Sequence, residues 1–176
     1  MDIHSHILPE IDDGSASWEE TLEMLELAYN EDVHIIVATP HYGLYNPGFN
    51  IKEARQLVAE MNHRIEDLPF KINVFLGNEL YYVPGIVRDV VDGKVSTMAG
   101  SSYVLVEFSE SVEYDTVKSA VDEFTRAGYR PILAHVERYR NILDKNLENI
   151  QELRRKGARA LKSNYSSQSP ATRSVI

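Results

Sequence analysis

The 176-residue sequence contains no cysteine. That absence removes disulfide scaffolds, thiolate metal sites and cysteine nucleophiles together, so a metal site here must be built from His, Asp, Glu and water. Positive charge is also scarce: 18 Lys and Arg stand against 27 Asp and Glu, for a formal net charge of −9. Phosphate-backbone binding needs concentrated Lys and Arg, which argues against nucleic acid as the main partner. No apolar run approaches the ~20 residues that span a bilayer, and no basic segment followed by an apolar stretch opens the chain. The expectation is a cytoplasmic protein without membrane insertion. With 43% hydrophobic and 26% charged residues, the composition suits one globular domain with its own core.

What is present is an alternation of apolar, strand-like runs and amphipathic helical patterns. Residues 1–6 read as a first strand. Ser17 and Glu20 form a capping-box pattern before a helix with Leu22, Leu25, Ala28 and Tyr29 on one face. "DVHIIVATP" reads as a second buried strand, and Asn50 with Glu53 caps a helix carrying Ala54, Leu57, Val58, Met61 and Ile65. "KINVFLG" makes a third strand, and Pro84 marks the start of a short helix through "GIVRDVVDG". "SYVLVEF" is a fourth strand, followed by a helix with Val117, Val121 and Phe124 that ends at Gly128. "RPILAHV" is a fifth; a helix from about Asn146 to Lys156 stops at Gly157, and "ARALKSN" makes a sixth. Near-continuous apolar strands between amphipathic helices indicate an α/β domain, its parallel sheet either covered on both faces or closed into a barrel. The domain is expected over residues 1–163, with the polar, serine-rich residues 164–176 as a disordered tail.

The reactive side chains follow these strands. His4 and His6 lie at the end of the first, His41 just after the second, Glu79 after the third, Glu107 in the fourth and His135 at the end of the fifth. In parallel α/β folds the carboxyl ends of the strands share one face, so six ligand-type groups would converge there. The His-x-His spacing aims both imidazoles at one point, because alternate strand residues share a side. A single His on an apolar strand is more often a hydrogen-bonded core residue, but the recurrence favours metal binding. Buried carboxylates such as Glu79 and Glu107 need a cation, and few Lys or Arg lie nearby in sequence. Mixed imidazole and carboxylate ligands suit Mn, Fe or Zn, and such a cluster can make hydroxide available near neutral pH for attack on phosphate. Arg138 offers a planar fork that grips phosphate, or else a surface pair with Glu137. Asp12 and Asp13 are turn residues before Gly14, or a ligand, supporting partner or proton donor. Tyr42 and Tyr45 line a pocket or cover its rim. His34 and His63 fall elsewhere and are assigned to structure or solvent.

Together, "DIHSHILPEIDDG", "IVATPHY", "GNELYY", "LVEF" and "AHVERYR" resemble the polymerase and histidinol phosphatase (PHP) superfamily, most closely the bacterial manganese-dependent protein tyrosine phosphatases of capsule and exopolysaccharide systems. The resemblance runs from residue 1 to about 160, in order. It implies a distorted β/α barrel with a trinuclear metal centre that hydrolyses phosphotyrosine, including that on the tyrosine-rich tail of a bacterial kinase. By position it assigns His4, His6, His41, Glu79, Glu107 and His135 to the metal, as Mn2+ or alternatively Fe or Zn. Arg138 would bind or protonate the phosphoryl group, with Asp13 assisting.

One departure stands out. Members of the family continue for several βα elements and supply a further Asp and His in an "SDAH"-like segment that this sequence lacks. The expectation is therefore a barrel missing its last βα elements: a truncated product, a chain completed by another chain such as a second copy, or a form without activity. The alternatives to a tyrosine phosphatase are a small-molecule phosphoesterase of the same superfamily and an inactive phosphotyrosine-binding module.

Overall fold

The computed structural model describes residues 1–142 and 148–161. The chain alternates strands and helices: β1 (Asp2–Ser5), α1 (Trp18–Asn30), β2 (Ile35–Ala38), β3 (His41–Tyr42), α2 (Ile51–Glu66), β4 (Asn73–Leu76) and β5 (Glu79–Tyr81). There follow α3 (Ile86–Val91), β6 (Tyr103–Glu107), α4 (Tyr114–Arg126), β7 (Arg130–Leu133), α5 (Glu148–Arg155) and β8 (Arg159–Ala160). All strand pairs are parallel, in two sheets ordered β1-β2-β4 and β3-β5-β6-β7-β8. The expected second and third strands form as β2 and β4, and each is followed after two residues by a further short strand, β3 or β5, that was not expected. Thr39–Pro40 separates β2 from β3, and Gly77–Asn78 separates β4 from β5, so the path steps from one sheet into the next. Asn78 holds this step, its amide donating to the Pro40 carbonyl at 3.0 Å. A Cβ at Gly77 would lie 3.0 Å from Val37 and 2.9 Å from Met98 Sδ, so a larger residue there would have to displace those side chains.

Alternation along the strands sorts the core into layers. Ile36, Ala38 and Val74 face outward under α1 and α2, meeting Leu25, Ala28, Ala54, Met61 and Ile65. Val104, Val106 and Leu133 face outward under α3, α4 and α5, meeting Val117, Val121, Phe124 and Leu153. The intervening residues Ile3, Val37, Leu105 and Ile132 turn the other way and meet Leu161 and Met98 in a third cluster. Residues of the first strand and of the last described stretch thus share one interior. That curl is the arrangement of a distorted β/α barrel, and among the described residues β1 pairs only with β2 and β8 only with β7.

The helix starts follow the expected chemistry with small shifts. Ser17 Oγ accepts from Glu20 N at 3.2 Å, while the Glu20 carboxylate reaches back to Ala16 N instead of to the cap residue itself. Asn50 caps α2 through Lys52 N at 3.0 Å. Gly128 and Gly157, just past α4 and α5, have φ of +88° and +105°, the left-handed conformation that ends a helix. Residues 143–147 at the expected start of α5, and the expected tail at 164–176, lie outside the described residues. Among the described residues, no helix is long and apolar enough to cross a membrane.

Candidate metal centre

The six expected ligands converge where the strands end. Glu79, the first residue of β5, is at the centre with its side chain fully buried. His4 Nε2 lies 2.8 Å and His6 Nε2 3.0 Å from Glu79 Oε2; His41 Nδ1 is 3.5 Å from the same oxygen. His135 Nε2 sits 3.2 Å from Glu79 Oε1. One buried carboxylate therefore faces four imidazoles. Burial opposes ionisation of Glu79, but these rings outweigh it and hold its pKa well below the ordinary carboxylate range.

Three backbone devices bring these rings together. His4 and His6 alternate along and just beyond β1, so both project to one side. Gly14 packs against the same turn: a Cβ there would lie 1.9 Å from the His6 carbonyl oxygen, so glycine alone fits. His135, just past β7, adopts φ +50°, a left-handed conformation that costs a non-glycine residue about 1 kcal/mol. It turns the chain abruptly and delivers the ring to Glu79.

Asp12 does more than shape a turn. Its Oδ2 lies 2.9 Å from His6 Nδ1 and accepts from His41 N at 2.9 Å, while Oδ1 accepts from Gly14 N at 3.1 Å. It thus orients one expected ligand and anchors the backbone of another. Burial alone would disfavour the imidazolium of His6, but Asp12 and Glu79 prevail and raise its pKa to about 9. His41 moves the opposite way, lowered first by burial and then by the neighbouring His6. Asp13 is exposed at the mouth, its Oδ1 3.5 Å from His41 Nε2.

Glu107 ends β6 beside this group. Burial, then the charge of Glu79, raise its pKa to about 7 against the opposing pull of Arg138. Among the described residues, its Oε2 is buried without a hydrogen-bond partner, as is His41 Nδ1. Such atoms need a further partner, and the donor set of imidazole nitrogen and carboxylate oxygen suits a divalent cation. Among the described residues, three trios bring one potential ligand atom per residue within 4.8 Å of one another: His4–Glu79–His135, His6–Asp13–His41 and His41–Glu79–Glu107. The residues present fit a cluster with shared ligands.

Arg138 is exposed and lines a cleft of about 440 Å³ with Glu107, Tyr45, Tyr81 and Tyr139, so it faces the cluster's mouth. Tyr42 does not join it, since its hydroxyl donates to Asp89 at 2.9 Å and its ring packs on the outer core. Tyr139, which spacing gave no means to single out, is fully buried below the cleft, and Phe108 N donates to its hydroxyl at 3.0 Å. It pins the chain immediately after Glu107. His34 and His63 stand apart, exposed and paired with Asp32 and Glu66.

Residues 1–169 match the family model described as capsular polysaccharide synthesis, CpsB/CapC. The chain belongs to the CpsB/CapC family. It is 31% identical over 157 residues to the tyrosine-protein phosphatase CpsB of Streptococcus agalactiae, a match that covers 87% of this chain and 63% of that protein. It is also 31% identical over 163 residues to the tyrosine-protein phosphatase YwqE of Bacillus subtilis, covering 90% of this chain and 62% of YwqE. Crystallographic work on YwqE and on CpsB of Streptococcus pneumoniae, described as metal-dependent tyrosine phosphatases, provides a structure that superposes with a TM-score of 0.81 at 27% identity, covering 90% of this chain and 64% of the other. This CpsB/CapC chain thus shares the family's parallel α/β architecture and spans somewhat under two thirds of the length of these relatives.

Proposed function

We propose that the chain carries the metal-holding part of a metal-dependent protein tyrosine phosphatase acting in capsular or exopolysaccharide synthesis. The observation that carries the reading is the fully buried Glu79 carboxylate among four imidazoles, beside a cleft that contains Arg138. Kinship with CpsB and YwqE supports it. His4, His6, His41, Glu79, Glu107 and His135 would hold the ions, taken as Mn2+ with Fe or Zn as substitutes, and Asp13 would assist at the mouth. Divalent ions bound there supply Lewis-acid activation of water and neutralise charge on phosphate oxygens.

The chain's own residues prepare that chemistry. Asp12 accepts from His6 Nδ1 and so keeps Nε2 aimed at the cluster, the tautomer a ligand needs. Holding both His6 and the His41 backbone, it keeps two rings in register. Arg138 presents a fork of N–H donors that matches the oxygens of a phosphoryl group, while Glu107 bounds the other side of the cleft. The proposed substrate is a phosphotyrosine protein, namely the tyrosine-rich tail of a bacterial kinase in the cytoplasm.

The test combines metal content with Mn-stimulated hydrolysis of a phosphotyrosine peptide. Roughly two to three ions per chain, with turnover abolished by a chelator and lost in His4→Ala and Glu107→Ala, is the expected result. A chain that binds no metal and leaves the peptide intact would overturn the reading. Faster turnover of histidinol phosphate than of the peptide would move it to small-molecule chemistry.

A further inference from the structure

We infer that Tyr45 is the aryl platform of this cleft: its ring stacks on the ring of a bound aryl phosphate and makes the site prefer aryl over alkyl phosphates. The inference deepens the phosphatase reading and rests on it for the reaction that follows binding.

Tyr45 is unusual among the aromatic residues because it is both exposed and held. The residue is 55% exposed, yet its ring centroid lies 5.2 Å from that of His41 and 5.0 Å from that of Tyr81, the latter edge-on at 80°. The backbone that presents it is tied down on both sides. Gly43 and Asn46 bridge across the turn, with Asn46 N donating to the Gly43 carbonyl at 3.2 Å. The Asn46 side-chain amide donates to the Ile11 carbonyl at 2.9 Å, fastening the turn to the loop that carries Asp12 and Asp13. Gly43 has φ +99°, a conformation that strains any other residue, and comes close to the Tyr81 backbone.

A ring that only covered a rim would be buried by what it covers. Tyr45 instead keeps half its surface free and spends it lining the cleft that contains Glu107 and Arg138. It also touches His41, which belongs to two of the three ligand trios, so the platform begins one side chain away from the cluster. A ligand whose phosphate oxygens meet Arg138 and the cluster would therefore place its next atoms beside Tyr45. A phenyl ring there makes an offset or edge contact with a partner that is already ordered, so little freedom is lost on binding. An aliphatic phosphate ester has no ring to offer. One aromatic contact of this kind changes affinity by about three- to tenfold.

The experiment compares benzylphosphonate with methylphosphonate, two ligands that resist hydrolysis and differ by a phenyl ring. Dissociation constants are measured by calorimetry on the Mn2+-loaded full chain and on its Tyr45→Ala and Tyr45→Phe variants. The native chain is expected to bind benzylphosphonate about three- to tenfold more tightly. Tyr45→Ala should lose that preference, Tyr45→Phe should keep it, and methylphosphonate should bind all three alike. A preference that survives in Tyr45→Ala, or its absence from the native chain, would overturn the inference. The outcomes separate the two readings. Loss of preference in Tyr45→Ala from a chain that leaves phosphotyrosine peptide intact would sustain the platform and sink the phosphatase. Turnover with preference retained in Tyr45→Ala would do the reverse.

Discussion

Glu79 and Glu152 show how differently the carboxyl ends of the strands and the outer helical layer treat a negative charge. Glu152, on α5, accepts from Tyr114 at 2.7 Å and pairs with Lys118 at 2.7 Å, at the half-exposed outer surface. Asp122 pairs with Lys156 at 2.7 Å in the same manner. Each outer carboxylate has a permanently charged neighbour, and water screens what remains, so these pairs are self-sufficient and individually weak. Glu79 is sealed from water, and the partners described around it are imidazoles, which carry charge only when protonated. The inner group therefore needs positive charge from elsewhere, a proton or a cation, and holds its members in one interlocked set. The contrast separates surface carboxylates that are neutralised one by one from an inner carboxylate shared by four imidazoles.

The change that breaks this contrast most severely is Glu79→Gln, which removes the charge at the centre. Metal content should drop by more than half and Mn-stimulated turnover by more than ~100-fold, read by elemental analysis and by phosphotyrosine peptide assay. Asp12→Asn leaves the proposed ligands in place and removes only the group that orients them. It should weaken metal binding by about 10- to 100-fold in a titration followed by calorimetry, with the fold intact by circular dichroism.

A subtler effect comes from protons standing in for the cation. The His6 pKa of about 9 lies above its unfolded value, so its contribution to stability is complete below pH 6.5 and disappears as pH rises toward 9. Glu107, raised to about 7, acts in the same direction, its contribution being lost between pH 4.5 and 7. The depressed pKa values of Asp12 and Glu79 add stability that stays constant across this range. The metal-free chain should thus melt at a lower temperature at pH 9 than at pH 6.5, and saturating Mn2+ should remove the difference. A chelated sample with flat melting temperature across that window would contradict the reading of His6. The smallest effect belongs outside: Lys156→Ala should shift the melting temperature by about 2 °C or less and leave metal content unchanged.

The same division governs what could be read from the linear order of residues. Strand and helix patterns were legible because burial imposes a period on each: Val117, Val121 and Phe124 recur every three to four positions, and Leu105 alternates with Val104 and Val106. The convergence of the six side chains was legible because each falls at or just past the end of an apolar run, where a parallel fold collects them. The short strands β3 and β5 beyond Thr39–Pro40 and Gly77–Asn78 were not, since an apolar run does not reveal which sheet the residues after it join. Nor was the division of labour between neighbours. Asp12 turned inward to His6 while Asp13 stayed exposed, and Tyr45 took the cleft while Tyr42 went to Asp89. Adjacent residues of one type carry the same signal, and only packing distinguishes them.

The sequence by itself therefore determined the class of fold, a chemistry confined to nitrogen and oxygen ligands, and the identity of the groups brought to one end of the strands, because hydrophobic periodicity and the absence of cysteine act locally. The tertiary structure alone decided which carboxylate sits among the imidazoles, which aspartate steadies them and which tyrosine faces the opening. Those outcomes depend on distances between residues as far apart in the chain as His6 and Glu79, and such distances exist only once the sheets have curled around their common core.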